Sequence, residues 1–156
     1  MRITLLAVGR VMPPAIRDLV EEYRERLNHF VPTRVETVAE EKRDKGMTSR
    51  QAMDREGQRL LTRIPAGALI VALDGSGRML SSLELSRQVD QWWQAAYAEW
   101  VFLIGGPDGL DPAVKAIAAF TLSLGPMTYP HMLARVLILE QLYRAMTLLR
   151  GVPYHR

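Results

Sequence analysis

The chain has 156 residues, 48% of them hydrophobic and 24% charged, with a net charge of +3. This is the composition of an ordinary soluble globular protein, long enough for a single domain, residues 1–156, with a core of its own. With Cys at 0 and His only at 29, 131 and 155, a disulfide framework and thiolate chemistry are excluded and a structural zinc site is disfavoured.

No apolar run approaches the roughly 18 residues of a membrane helix. The short apolar start, followed by Arg10 and two prolines, does not read as a signal peptide. The expectation is a cytoplasmic protein with no metal and no membrane partner. A pI near 9.5, with Arg far in excess of Lys, leans mildly toward an anionic partner.

In chain order, residues 1–9 are near-continuously apolar and predict a buried strand. Pro13 and Pro14 open a helix whose Ile16, Leu19, Val20, Tyr23 and Leu27 repeat at helical spacing. Residues 33–39 alternate as a second strand, and the charged stretch 40–48 reads as an exposed loop. A helix over 49–63 carries Arg55, Arg59 and Arg63 on one stripe, either a solvated face or an RNA backbone contact. Residues 68–73 form the clearest buried strand, ending in the turn Asp74-Gly75-Ser76-Gly77. Ser81 and Glu84 make a capping box for a helix running to about Tyr97, in which Trp92 and Trp93 are packing residues. Further strands follow at 100–104 and 120–124, separated by a short helix begun by Asp111 and Pro112. Pro130 starts a last long helix to about Arg150. Strands alternating with helices predict an α/β fold, a mostly parallel sheet with helices on both faces, whose ligands bind beyond the carboxyl ends of the strands.

Three strand ends carry unusual residues: Leu73-Asp74-Gly75, then LIGGPDGL at 103–110, then LSLGPMTYPH at 122–131. A Gly-Gly pair at a strand end either lets a ligand approach the backbone or permits a tight turn. Neither a GxxxxGK[ST] nor a GxGxxG spacing is present, so a ligand poor in phosphate, held by backbone amides and apolar contacts, fits better.

The last helix is apolar around most of its circumference, apart from Glu140, Arg144 and Thr147 on one narrow face. It is therefore central or shared with a second subunit, and a homodimer interface is the expectation. His131 and Arg135 share another face. A cation on an apolar surface needs an internal carboxylate or a helix N-terminal contact, or else an anionic substrate group. The tail Gly151-Val152-Pro153-Tyr154-His155-Arg156 concentrates Tyr, His and Arg directly after this helix.

LIGGPDGL, LSLGPMTYPHMLARVLILEQLYRA and the terminal PYHR, with ITLLAVG, REGQRLL and VALDGSGRMLSS before them, resemble the bacterial ribosomal RNA large subunit methyltransferase H family over essentially the whole chain. The resemblance implies a SPOUT-class methyltransferase with a C-terminal trefoil knot. It implies a homodimer that uses S-adenosyl-L-methionine to methylate N3 of the pseudouridine at position 1915, in helix 69 of 23S rRNA, on the assembled ribosome. Carried over by motif, Leu73, Gly105 and the loop Leu124, Gly125, Pro126, Met127, Thr128 and Tyr129 would bind the cofactor. Gly125-Pro126 departs from the family pattern of Ser or Ala followed by a non-proline, and the proline removes one N–H donor.

The methyl donor is an activated electrophile, so the protein's task is positioning and removal of the N3 proton. The candidates are Arg135 as electrostatic stabiliser and His155 as base or orienting group, with Tyr154 and Arg156 placing the RNA and His131 also contacting it. A non-catalytic ribosome- or RNA-binding module would account for the basic stripe but not for the three strand-end loops. A nucleotide-dependent enzyme is disfavoured by the missing phosphate fingerprints.

Overall fold

The described residues, 1–42 and 46–155 of the computed structural model, form five strands and five helices in alternation. The expected loop at 40–48 lies partly outside them, and Arg156 wholly so. In order they are β1 (Arg2–Val8), α1 (Pro14–Asn28), β2 (Thr33–Val38), α2 (Ser49–Leu61), β3 (Leu69–Met79), α3 (Ser82–Gln94), β4 (Glu99–Ile104), α4 (Pro112–Ala116), β5 (Phe120–Ser123) and α5 (His131–Leu149). The sheet runs β2-β1-β4-β3-β5 with every pair parallel. One core packs α1, α3 and α5 against one face, and a second packs α2 and α4 against the other. This is the α/β architecture that the alternation predicts.

Local chemistry sets the helix starts. Pro14 occupies the first turn of α1, where a missing N–H costs nothing. Ser81 and Glu84 close the expected capping box, and Thr48 with Gln51 forms a second one at α2. The Asp111 side chain accepts from Ala113 N at 2.7 Å to start α4. α3 stops at Gln94, short of the expected Tyr97, and Ala96 at φ 56° turns the chain toward β4. Trp92 is buried and packs edge-on against Trp100, Phe102 and Phe120, as a packing residue should.

β3 departs most from expectation. Residues 74–77, with the composition of a turn, do not end the strand but bulge from it: Leu73 and Arg78 both register with Leu122 of β5. A Cβ on Gly77 would lie 2.7 Å from the Thr121 carbonyl, so glycine is what lets the backbone rejoin its neighbour.

α5 is central. It lies between α1 and α3, and Ile138, Leu139, Leu142, Ala145 and Met146 are buried in the larger core. Its apolar circumference is thus largely absorbed within the chain. No helix among the described residues is long and apolar enough to cross a membrane.

The strand order opens a crevice beside the site. From β1 the chain leaves toward the β2 edge, and from the adjacent β4 it leaves toward the β5 edge. Diverging exits open a crevice at the carboxyl ends of these two strands, the usual place for a ligand in an open α/β sheet.

Candidate functional site

The bulge of β3 and the carboxyl ends of β4 and β5 frame a cleft of about 790 Å³. Leu73, Gly105 and the whole loop 124–129 line it, so the structure brings together every residue expected at the cofactor, with His131 at the rim. Asp74 and Asp108 also line it, and no Lys or Arg does among the described residues.

Each wall has a physical cause. A Cβ on Gly105 would sit 2.3 Å from the carbonyl carbon and oxygen of Gly109. Gly109 N donates to Gly106 O at 3.0 Å, and Gly109 adopts φ 92°. The glycine pair therefore serves the tight turn of its own loop, and a side-chain-free floor for a ligand comes with it. Gly125 adopts φ 124°, open in practice only to glycine, and its N–H donates to Ser123 Oγ at 3.2 Å. That conformation explains the glycine in the departing Gly125-Pro126 pair.

The bulge of β3 is held from below. Asp74 Oδ2 takes the Lys115 ammonium at 3.1 Å, and Asp74 Oδ1 accepts from Ser76 N at 2.9 Å and from Ser76 Oγ at 2.5 Å. Burial opposes the charged form of Asp74, but the Ser76 and Lys115 contacts outweigh it and hold the carboxyl below its ordinary range.

Arg135 is fully buried. Main-chain carbonyls, which the sequence did not suggest, hold it: Nη2 donates to the carbonyl oxygens of Val8 at 2.6 Å and Gly9 at 2.9 Å, at the end of β1. Nε and Nη1 find no partner among the described residues. Burial lowers its pKa, and Glu40 opposes that shift. The point that a Gly9 Cβ would occupy lies 3.3 Å from Glu40 Oε2, 3.3 Å from His131 Nε2 and 3.4 Å from Arg135 Nη2. Beside this cluster, Glu56 is buried: Oε1 accepts from Glu41 N at 2.8 Å, and Oε2 packs on Gly106. Desolvation pushes the Glu56 carboxyl above its ordinary value.

Glu40, Glu56 and Lys115 were not expected at the site. Glu56 had a usable signal, because Gly57 beside it interrupts an amphipathic helix, and a mid-helix glycine marks a close approach. A Cβ there would meet Asp111 Cβ at 2.8 Å. The basic stripe of α2 is partly neutralised: Arg55 and Arg59 both pair with Glu41, and Arg59 also donates to Ala39 O at 3.0 Å.

The tail is docked, not frayed. Gly151 at φ 65° ends α5, with Val152 N donating to Thr147 O at 2.9 Å and Gly151 N to Leu148 O at 3.3 Å, a Schellman stop. The chain then folds back. Tyr154 donates to Glu140 Oε1 at 3.1 Å, its ring lies 4.8 Å from that of Tyr143, and the Arg144 guanidinium stacks 4.6 Å from it. His155 Nδ1 lies 3.4 Å from Arg144 Nη1. Burial, with Tyr23 and Glu140 as neighbours, drives the Tyr154 pKa upward, so it remains a phenol. Glu140 is nine helical residues from His131, roughly 14 Å at 1.5 Å per residue. The structure therefore does not bring Tyr154 or His155 to the cleft of their own chain.

Residues 1–155 match the family model described as Predicted SPOUT methyltransferase. The whole chain aligns with 99% of the Ribosomal RNA large subunit methyltransferase H of Rhodospirillum centenum, at 44% identity. It is 43% identical to the protein of the same name in Thioalkalivibrio sulfidiphilus, again over the whole chain and 99% of that protein. With the protein of that name in Stenotrophomonas maltophilia strain K279a the identity is 40%, over the same coverage.

Proposed function

Since the chain belongs to the SPOUT methyltransferase family, we propose that it uses S-adenosyl-L-methionine to methylate N3 of a pseudouridine in helix 69 of 23S rRNA, on the assembled ribosome in the cytoplasm. The observation that carries the cofactor is the lining of the cleft. A glycine-rich floor, a backbone-rich loop, two aspartates and no Lys or Arg among the described residues suit an adenosine joined to a cationic sulfonium, and do not suit a polyphosphate. When bound, that group supplies an activated methyl. Leu73, Gly105 and the loop 124–129 would hold it. The Asp74–Lys115 pair keeps one wall in place, and the buried Arg135, with two donors unpartnered among the described residues, supplies positive potential at the neighbouring crevice.

The methylation proposal is tested by mass spectrometry of 23S rRNA from cells with and without this protein. Loss of methylpseudouridine on deletion is the expected result. An unchanged rRNA would overturn the reading and leave a non-catalytic RNA-binding module as its successor.

Tyr154 and His155 reach a cleft only if a second copy supplies it, so the working unit is a homodimer with the tail of one subunit placing RNA at the site of the other. Exposed Met79, Leu83, Met127 and Leu133 give such a dimer apolar surface to bury. The 3.4 Å contact with Arg144 favours His155 as an orienting group. The path of the C-terminal segment supports the knot of the family: after the edge strand β5 it returns past the bulge of β3 and the end of β4 and enters between α1 and α3. A shared site makes a direct prediction. A chain lacking residues 151–156 and a Thr128→Trp chain, each inactive alone, should recover activity when mixed. Random two-fold pairing gives about a quarter of the wild-type rate. No recovery would place each tail at its own cleft.

A further inference from the structure

Beside the cofactor cleft lies the crevice between the ends of β1 and β4, a feature that the methyl donor does not need. Its floor is Gly9 and Gly106, both buried. Glu40, His131 and Arg135 converge over Gly9. His131 belongs to both spaces, since it lines the cleft and presents Nε2 to the crevice.

We propose that His131, of the same subunit as the cofactor cleft, is the catalytic residue that takes the proton from the acceptor nitrogen. This rests on the methyltransferase reading above. The nitrogen of an imide carries a hydrogen that must leave as the methyl arrives. The N–H bond breaks with its electron pair remaining on nitrogen, and that pair forms the new N–C bond. The S–C bond gives its pair to sulfur, which ends as a neutral thioether. The proton passes to His131 Nε2, and the ring becomes an imidazolium.

Three observations single out this ring. It is the one imidazole at the cleft among the described residues. The other titratable side chains there are Asp74, Asp108 and Tyr129, and a base works best when its pKa lies near the working pH. No hydrogen bond from a described residue engages the ring. Its charged neighbours are also suitably arranged. Burial and then the Arg135 charge press its pKa below 6.5, so the resting ring is neutral and can accept, while Glu40 opposes the shift and favours the imidazolium once formed. Glu56, across Gly106, adds a second carboxyl near the crevice. Position 131, the first residue of α5, disfavours a standing positive charge as well.

The test uses the full-length protein and ribosomes from a strain lacking it. Under single turnover, His131→Gln should slow methyl transfer on the order of 10²- to 10⁴-fold, with S-adenosyl-L-methionine affinity by calorimetry within threefold of wild type. The wild-type rate should fall as pH drops through a midpoint below 6.5. That midpoint should match the His131 imidazole titration seen by NMR in the cofactor-free protein, and His131→Gln should lose the inflection. Free imidazole should partly rescue His131→Ala, which a merely structural role would not allow. A His131→Gln rate within threefold of wild type, a retained inflection, or an NMR midpoint at or above 6.5 would overturn the proposal. Loss of activity in His155→Gln with His131→Gln intact would give the proton to the tail instead. A wild-type protein that fails to methylate the ribosome at all would sink the parent reading, a result separable from failure of the variant alone.

Discussion

Arg135→Met is expected to lower the unfolding free energy by about 2 to 3 kcal/mol and to abolish measurable methylation. The two effects have separate causes. Met keeps most of the volume of the arginine stem, so little cavity forms. What disappears is the donor to the carbonyls of Val8 and Gly9. Each buried acceptor left unsatisfied costs roughly 1 to 3 kcal/mol. Against this, the variant no longer buries a guanidinium whose Nε and Nη1 lack a partner among the described residues, and that relief offsets part of the loss. Urea unfolding of the purified protein should show a net loss, and thermal unfolding a midpoint about 5 to 10 °C lower for a domain of this size. Unchanged or raised stability would show that Arg135 is kept for the site and not for the fold. Cofactor affinity should change little, because Arg135 is not among the residues lining the cleft.

Gly105→Ala should have the opposite signature, striking binding first. Its Cβ would stand 2.3 Å from the carbonyl of Gly109 and 2.6 Å from Leu110 N. Those are backbone atoms that no rotamer change can move. The turn 105–109 must open, at a cost of about 1 to 3 kcal/mol, and the floor of the cleft moves with it. Affinity for S-adenosyl-L-methionine should drop on the order of 10²-fold, since about 2.7 kcal/mol of lost fit is enough. Calorimetry reads this directly. Gly109→Ala is the control: its added Cβ meets open space, and φ 92° imposes only local strain of about 1 to 3 kcal/mol. If Gly105→Ala binds as wild type does, the glycine pair is a turn and nothing more.

Much of this molecule could be read from its order of residues. Alternating apolar runs and amphipathic stretches specified parallel strands with helices between them, because each signal is local. The three strand ends at the cleft were visible because Gly and Pro punctuate them. The strand order was not visible: nothing in Ile3 or Trp100 announces that β1 and β4 are neighbours. Nor was the bulge in β3, since Asp74-Gly75-Ser76-Gly77 has the composition of a turn and is an excursion only because β5 pairs on both sides of it. Arg135 was recognised as needing a partner, but the partner is a pair of main-chain carbonyls, and carbonyls have no letter in a sequence. Glu40 and Glu56 escaped for a related reason. Their importance comes from which glycines they face, and that is set by tertiary packing.

The clamp from Arg135 onto Val8 and Gly9 spans 127 and 126 residues of chain. Synthesis proceeds at about 5 to 20 residues per second, so the first strand exists for several seconds before the helix that secures its end has emerged. Over most of that interval Ile3 has a partner in Thr33 but none in Trp100, and one edge of a largely apolar strand stays open. Such an edge is a template for mispairing. The nascent chain is therefore most exposed to aggregation between completion of β2 and arrival of β4, and it gains its native sheet only when translation is nearly over. A holding chaperone that covers the open edge of β1 would act in that window.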